Sequence, residues 1–177
     1  MPECVLCNGE LSEPGLTFDN DARRYFICGF CKLIQVEKSY FPTFAAAKKR
    51  YEQHVANAGS EGHITHLKKA IEPSKPFLNK LLRCLDYGCG PKPVLAGLLK
   101  IEGFECDNYD PYFGCTVLDD IKYRHIFCLE TAEHFEKPDI EFKNIFGKLL
   151  PGGSLTLMTE RYLDVDHFSD WYYKRDF

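Results

Sequence analysis

The sequence predicts an α/β chain whose larger part is an incomplete parallel sheet of about five strands, preceded by a small cysteine-rich module. Two observations predict this division. Four of the nine cysteines form two close pairs near the N-terminus, whereas apolar strand-like segments alternate with helical segments from Leu81 onward. Such alternation is typical of βαβ units, in which helices cover both faces of a parallel sheet.

The composition is that of a globular protein, with 45% hydrophobic and 27% charged residues among 177. No apolar run approaches the roughly 20 residues that span a bilayer. The N-terminal segment MPECVLCNGE lacks the apolar stretch of a secretory signal, so we expect a cytoplasmic protein. A net charge of −4 argues against a large nucleic-acid surface without excluding a local basic patch.

The first four cysteines have the spacing of a metal site. Two residues separate Cys4 from Cys7 and Cys28 from Cys31, and 20 residues separate the pairs. Two such turns joined by a hairpin can complete a tetrahedron of thiolates. We therefore interpret residues 1–40 as a small Cys4 zinc ribbon with a structural Zn²⁺, because four thiolates leave no open position for chemistry. The alternative is four unrelated buried thiols.

Short strands are expected within the ribbon, at residues 16–18, 24–27 and 33–36. A helical connector, residues 41–80, is expected to follow. Good helix formers occupy 43–57 and 61–71, and glycines and prolines interrupt the pattern.

The remaining domain, residues 81–177, supplies the alternating elements. The predicted strands are LLRCLD, FECDNYD, RHIFCLE and SLTLMT, and the predicted helices are VLAGLLKIEG and DIEFKNIFGKLL. Between Asp110 and Tyr123 there is room only for a very short further strand, near Thr116 and Val117.

The segment LDYGCG, residues 85–90, predicts a ligand site. Glycines directly after a strand let backbone approach a ligand closely, and the next helix can face it with its N-terminus. Asp110 ends the following strand 20 residues after Gly90, the offset at which an acid reaches a ribose diol in nucleotide-binding units. A dinucleotide such as NAD is the alternative ligand, although the G-x-G-x-x-G pattern lacks its last glycine here.

Four segments, in order, resemble motifs of class I S-adenosylmethionine-dependent methyltransferases, in the groups called types 11, 12 and 23. LDYGCG resembles motif I, and YDP resembles the acid of the second strand. FCLETAEHF resembles the E-x-x-E-H segment after the fourth strand, and LLPGGSLTLMT resembles the L-x-P-G-G approach to the fifth. The resemblance covers residues 81–159 and implies the Rossmann-like sheet of that family.

The resemblance also implies a binding site for S-adenosylmethionine or S-adenosylhomocysteine. Its residues would be Asp86, Tyr87, Gly88, Cys89, Gly90, Asp110, Pro111, Tyr112, Leu129 and Glu130. Lys92 stands where the family has a third glycine, which mainly serves close helix packing. In relatives a segment before motif I folds over the cofactor, so Tyr51 and His54 would line the pocket here; a solvent-facing helix surface is the alternative.

Catalytic residues are harder to assign, because methyl transfer mainly requires alignment of donor and acceptor. A base is needed only when the nucleophile carries a proton. The resemblance makes His134 and Glu130 the catalytic candidates. For both, the alternative is a structural or cofactor-side role.

We therefore expect a methyltransferase with an unidentified acceptor. Residues 1–60 contain seven Lys and Arg against seven Asp and Glu, which favours a small molecule or a protein partner over RNA. The cluster Lys48-Lys49-Arg50 keeps RNA possible. The alternative is a non-catalytic or truncated cofactor-binding protein that acts through its zinc module as an interaction protein.

The C-terminus is expected to be short for this family. Only 18 residues follow Thr159, whereas a further helix and hairpin need roughly thirty-five. We expect the sheet to end at the fifth strand or the tail SDWYYKRDF to supply a partial cover for it. In either case we expect a homodimer or larger assembly, with the fifth strand and the aromatic tail near the contact. We also expect impaired turnover by this chain alone.

Overall fold

The structure is a computed structural model that describes residues 3–18, 21–53, 57–117 and 119–175. The chain forms two compact units. The ribbon unit comprises Met1–Pro42, Ala132–Lys143 and Glu160–Phe177, and the sheet unit comprises Thr43–Thr131 and Asn144–Thr159. The domain division into 1–40, 41–80 and 81–177 stays a prediction.

Three short antiparallel strands build the sheet of the ribbon unit. They are β1 (Leu16–Phe18), β2 (Asp21–Ile27) and β3 (Ile34–Val36), in the order β1-β2-β3. Tyr25 lies opposite Val36 in the register, and both side chains are buried. The predicted ribbon strands are thus present, and β2 begins three residues earlier than expected.

The C-terminal residues pack on this small sheet. Helix α5 (Val165–Asp170) buries Phe168 against Tyr25, with ring centroids 5.2 Å apart in an edge-to-face arrangement. The Tyr162 hydroxyl donates to the backbone oxygen of Lys32 at 2.6 Å. The aromatic tail therefore completes the ribbon's apolar core, a role that the sequence analysis did not predict.

Four parallel strands build the sheet unit. They are β4 (Cys84–Tyr87), β5 (Cys106–Tyr109), β6 (Tyr123–Leu129) and β7 (Leu149–Met158), in the order β5-β4-β6-β7. The crossover pattern confirms the predicted Rossmann-like α/β class.

The described residues give this sheet four strands, where about five were predicted. The chain after β5 turns back at once, because Asp110 and Cys115 exchange backbone hydrogen bonds of 2.9 and 3.1 Å. Gly114 permits that turn with a φ of +72°. Thr116 and Val117, where the short strand was expected, lie outside the strands.

Two strand boundaries also differ from expectation. The segment LLRCLD begins its strand only at Cys84, and Leu81 is 92% exposed. The PGG segment precedes the predicted strand SLTLMT, yet it lies inside β7 as a bulge, because the register passes from Tyr123–Leu149 to His125–Ser154.

The helices before the sheet are α1 (Phe44–Glu52) and α2 (Glu61–Ser74). The side chains of Thr43 and Ser60 cap them by accepting backbone N–H groups. Helix α2 continues through Pro73, three residues past the predicted end, and the Ser74 hydroxyl bonds the Ala70 carbonyl oxygen at 2.6 Å.

The remaining helices are α3 (Val94–Ile101) and α4 (Pro138–Gly147). Helices α2 and α3 pack on the sheet through one apolar cluster that includes Ile71, Leu99 and Phe127. Within the described parts of the chain, no helix combines the length and apolar character needed to cross a bilayer.

Candidate functional site

The four paired cysteines come together in the ribbon unit. Their sulfur atoms all lie within 4.8 Å of one another. The Sγ–Sγ distance is 3.6 Å between Cys4 and Cys31 and 3.5 Å between Cys7 and Cys28. Four thiolates about 2.3 Å from one zinc ion would stand roughly 3.8 Å apart. This group could therefore hold a metal ion.

Local backbone geometry makes this convergence possible. Asn8 and Lys32 each follow the second cysteine of a pair, and both adopt positive φ values, +58° and +65°. The backbone N–H of Cys31 donates to Cys28 Sγ at 3.4 Å and lowers the pKa of that thiol to about 6. Burial raises the pKa of Cys31 to about 12.

The glycine loop after β4 is tied to the loop after β5. Gly88 and Gly90 have φ values of +89° and +66°. A Cβ on Gly88 would stand 2.2 Å from the side chain of Thr131, so only glycine fits there. The Asp110 carboxylate accepts the N–H of Gly90 and the N–H of Tyr112, each at 2.9 Å.

A second carboxyl group lies beside Asp110. Asp86, in β4, is only 6% exposed. Burial and the nearby charge of Asp110 raise the pKa of Asp86 to about 7. Burial also raises the pKa of Asp110. A cationic ligand group would offset the repulsion between these two acidic groups, and a ligand hydroxyl could donate a hydrogen bond to either carboxylate.

Helix α1 lies against the loop after β5. The ring of Tyr112 stacks on Phe44, with centroids 4.5 Å apart and an interplanar angle of 19°. Tyr51 meets the same ring edge-on at 5.0 Å. Tyr51, which was expected to line the cofactor pocket, thus contacts the loop after β5, and its role in a pocket stays a prediction. His54 lies outside the described residues.

The other predicted residues of the loops have different surroundings. Tyr87 is buried, and its ring centroid lies 4.7 Å from that of Tyr109. Burial raises the pKa of Cys89, which favours the protonated thiol over the thiolate. Pro111 is exposed.

The end of β6 carries a strained residue. Leu129 closes the strand in the apolar cluster, and Glu130 follows with a φ of +50°. His66 Nε2, on α2, lies 3.4 Å from Glu130 Oε1. Sequence reasoning missed His66; the only available signal was its spacing of three from His63 on a predicted helix.

The two catalytic candidates belong to different compact units. Glu130 is part of the sheet unit, and His134 ends a short 3₁₀ helix, Ala132–His134, of the ribbon unit. Their roles in catalysis stay predictions.

A glycine loop between neighbouring parallel strands, with an acid at the end of the second strand, is the arrangement typical of Rossmann-like proteins that bind nucleotide-type cofactors. The model of one family, described as the methyltransferase domain, matches residues 63–177. A comparison with curated proteins found no significant match. The match covers well over half of the sequence, so the chain belongs to the methyltransferase domain family. The family resemblance seen in the sequence is confirmed, and the family implies use of S-adenosylmethionine.

Proposed function

We propose that this protein transfers a methyl group from S-adenosylmethionine to a small-molecule acceptor. The observation that carries the proposal is the hydrogen bond from the Gly90 N–H to the Asp110 carboxylate. It joins two features that a nucleoside cofactor needs at one edge of the sheet, a side-chain-free loop and a carboxylate.

The chain's own groups fit the cofactor's parts. The Asp110 carboxylate accepts the backbone N–H groups of Gly90 and Tyr112, and the backbone of Phe113 also hydrogen-bonds it. A carboxylate offers about four acceptor positions, so a position remains for a ribose hydroxyl. The rings of Phe44 and Tyr112 provide an aromatic surface beside this carboxylate.

The remaining proposed residues would bind the amino-acid end of S-adenosylmethionine and the cofactor atoms that lie against the glycine loop. They are Asp86, Tyr87, Gly88, Cys89, Gly90, Pro111, Leu129 and Glu130. When bound, S-adenosylmethionine supplies a methyl group on a sulfonium centre, which the acceptor attacks in line. The protein's task is orientation and exclusion of water, and His134 would take a proton only from an acceptor that carries one.

We further propose that Cys4, Cys7, Cys28 and Cys31 hold a structural Zn²⁺. The 3.5 and 3.6 Å sulfur separations support it, because they match a thiolate tetrahedron better than a disulfide or a loose cluster. A module this small gains much of its folding free energy from the metal.

The acceptor class is tested with S-adenosylmethionine that carries a labelled methyl group. The protein is incubated separately with a small-molecule extract, with total RNA and with a protein fraction. We expect label only in the small-molecule pool, dependent on Asp110. Label in RNA would overturn the acceptor class. Binding of S-adenosylhomocysteine without label in any pool would favour the non-catalytic interaction protein instead.

A further inference from the structure

Glu130 is held in an unfavourable backbone conformation. Its φ of +50° lies in the left-handed region, which costs free energy for a residue with a side chain. Such strain persists only where the surroundings enforce it, and it often marks a functional position. Here the backbone N–H of Glu130 donates to the Met158 carbonyl oxygen at 2.8 Å.

The residue after Glu130 touches the glycine loop. The Thr131 hydroxyl lies 3.5 Å from the Gly88 carbonyl oxygen, and the methyl group of Thr131 occupies the space that a Gly88 side chain would need. Glu130 is therefore fixed between β7 on one side and a residue in contact with the loop on the other.

The Glu130 carboxylate has a partner on α2. His66 Nε2 lies 3.4 Å from Glu130 Oε1, and the two side chains are 42% and 30% exposed. This partial exposure leaves the pair accessible to a ligand. A carboxylate offers about four acceptor positions, so its contact with one imidazole nitrogen does not use up its capacity to bind a cation.

We propose that His66 is a positioning residue that holds the Glu130 carboxylate for the α-ammonium group of the cofactor's amino-acid end. The inference rests on the proposed function, because it assumes a ligand that carries this group. An unrestrained glutamate side chain would lose rotamer freedom when it binds a cation, and the contact with His66 removes part of that loss beforehand.

The test measures affinity by calorimetry for two ligands that share the nucleoside. S-adenosylhomocysteine carries the amino-acid end, and 5′-methylthioadenosine lacks it. We expect His66→Leu to weaken S-adenosylhomocysteine binding roughly five- to twentyfold and to leave 5′-methylthioadenosine binding unchanged. His66→Gln keeps an N–H donor at the same reach and should retain affinity within about twofold.

His63→Leu is the matched control, because His63 lies on the same helix and its Nδ1 accepts the N–H of Gly59. It should leave both affinities unchanged. Equal losses for His66→Leu and His63→Leu, or equal losses for the two ligands, would overturn the inference. So would unchanged binding in His66→Leu. Failure of the unaltered protein to bind S-adenosylhomocysteine would instead contradict the proposed function, and thermal unfolding of each variant identifies any that fails to fold.

Discussion

At the scale of single residues, Asp110 has two tasks. Its carboxylate fastens the glycine loop through Gly90 and orders its own loop through Tyr112. The same group is the proposed acceptor for the ribose hydroxyls. Its removal should therefore affect both the shape of the site and its hydrogen bonding to a ligand.

We predict that Asp110→Ala weakens S-adenosylhomocysteine binding by roughly 1–3 kcal/mol, because buried hydroxyls would lose a charged acceptor. Calorimetry measures this change. Asp107→Asn is the control, since Asp107 lies in β5, the strand that precedes Asp110, and accepts from the Arg83 guanidinium. Unchanged affinity in Asp110→Ala, or an equal loss in Asp107→Asn, would mean that the acid is misassigned.

A second prediction concerns Gly88, whose added Cβ would stand 2.2 Å from Thr131 and whose φ is +89°. Gly88→Ala should lower the free energy of unfolding by about 2 kcal/mol or more. Gly97, inside α3, has no described atom within 4 Å of its added Cβ. Gly97→Ala should therefore raise stability by about 0.5–1 kcal/mol. Urea unfolding of both variants checks the pair, and a tolerated Gly88→Ala would contradict the loop geometry.

The sequence predicted which residues come together where their spacing along the chain determines it. The four cysteines come together as their spacing predicted. Asp110 lies at the glycine loop, as the offset of 20 residues from Gly90 indicated. His66 was missed because its partner Glu130 is 64 positions away in the sequence, and only the packing of α2 on the sheet brings them together.

At the scale of elements, a buried polar network joins β6, β7 and α2. His125 lies within hydrogen-bond distance of the Ser154 and Thr156 hydroxyls, at 2.7 and 2.9 Å. Thr156 in turn lies 2.6 Å from the Ser74 hydroxyl. These contacts add polar links to the apolar packing of α2 on the sheet. His125 is buried, so a positive charge on its imidazole would be costly.

We predict a pH dependence from this histidine. Burial, with a smaller contribution from Arg124, lowers the pKa of His125 to about 4. The unfolded chain takes up this proton first, near pH 6.5. The stabilisation is therefore complete above about pH 6.5 and is lost as pH falls toward 4, by an amount on the order of 3 kcal/mol.

Asp86 acts in the opposite direction, because its raised pKa of about 7 makes the fold less stable as pH rises from about 4 to 7. The pH dependence of the free energy of unfolding is therefore the sum of two opposing contributions. The measurement is the difference in unfolding free energy between the unaltered protein and His125→Gln at several pH values. A difference independent of pH would contradict the account of His125.

Element boundaries show where sequence patterns fail. PGG is a typical turn signal, yet Pro151 and the glycines lie in β7, because pairing with β6 continues on both sides of the bulge. The apolar pair Leu81-Leu82 suggested strand, but the ladder with β5 and β6 begins at Cys84. In both cases the strand boundary is set by hydrogen bonding to the neighbouring strands. A local sequence pattern carries no information about those neighbours.

At the scale of the whole molecule, the metal group and the C-terminal tail belong to one compact unit. Trp171, the single tryptophan of the sequence, packs with Tyr162 and Phe168 against the ribbon's apolar cluster. Loss of the metal should loosen the strands on which this cluster depends.

We predict about one Zn²⁺ per chain and a change in Trp171 fluorescence when a chelator removes it. Cys28→Ser should abolish zinc binding and give the same fluorescence as the chelated protein. Cys115→Ser, outside the four-cysteine group, should keep the metal. Metal analysis that finds no zinc in protein purified without chelator would contradict the assignment of residues 1–40 as a zinc ribbon.

The state of association stays a prediction. Strand β7 lies at one edge of the described sheet, and Leu157 on this strand is 44% exposed. An exposed strand edge with apolar side chains favours pairing with another chain. We expect a homodimer or a larger assembly in light scattering at about tens of micromolar protein, and a stable monomer would contradict the expected contact.

The most direct test of the central claim is a calorimetric titration of the zinc-loaded protein with S-adenosylhomocysteine, with NAD as the comparison ligand. The account predicts one S-adenosylhomocysteine per chain, an affinity that Asp110→Ala reduces, and no measurable binding of NAD. Absence of S-adenosylhomocysteine binding by the folded, zinc-loaded protein, or preferential binding of NAD, would contradict the assignment of this site.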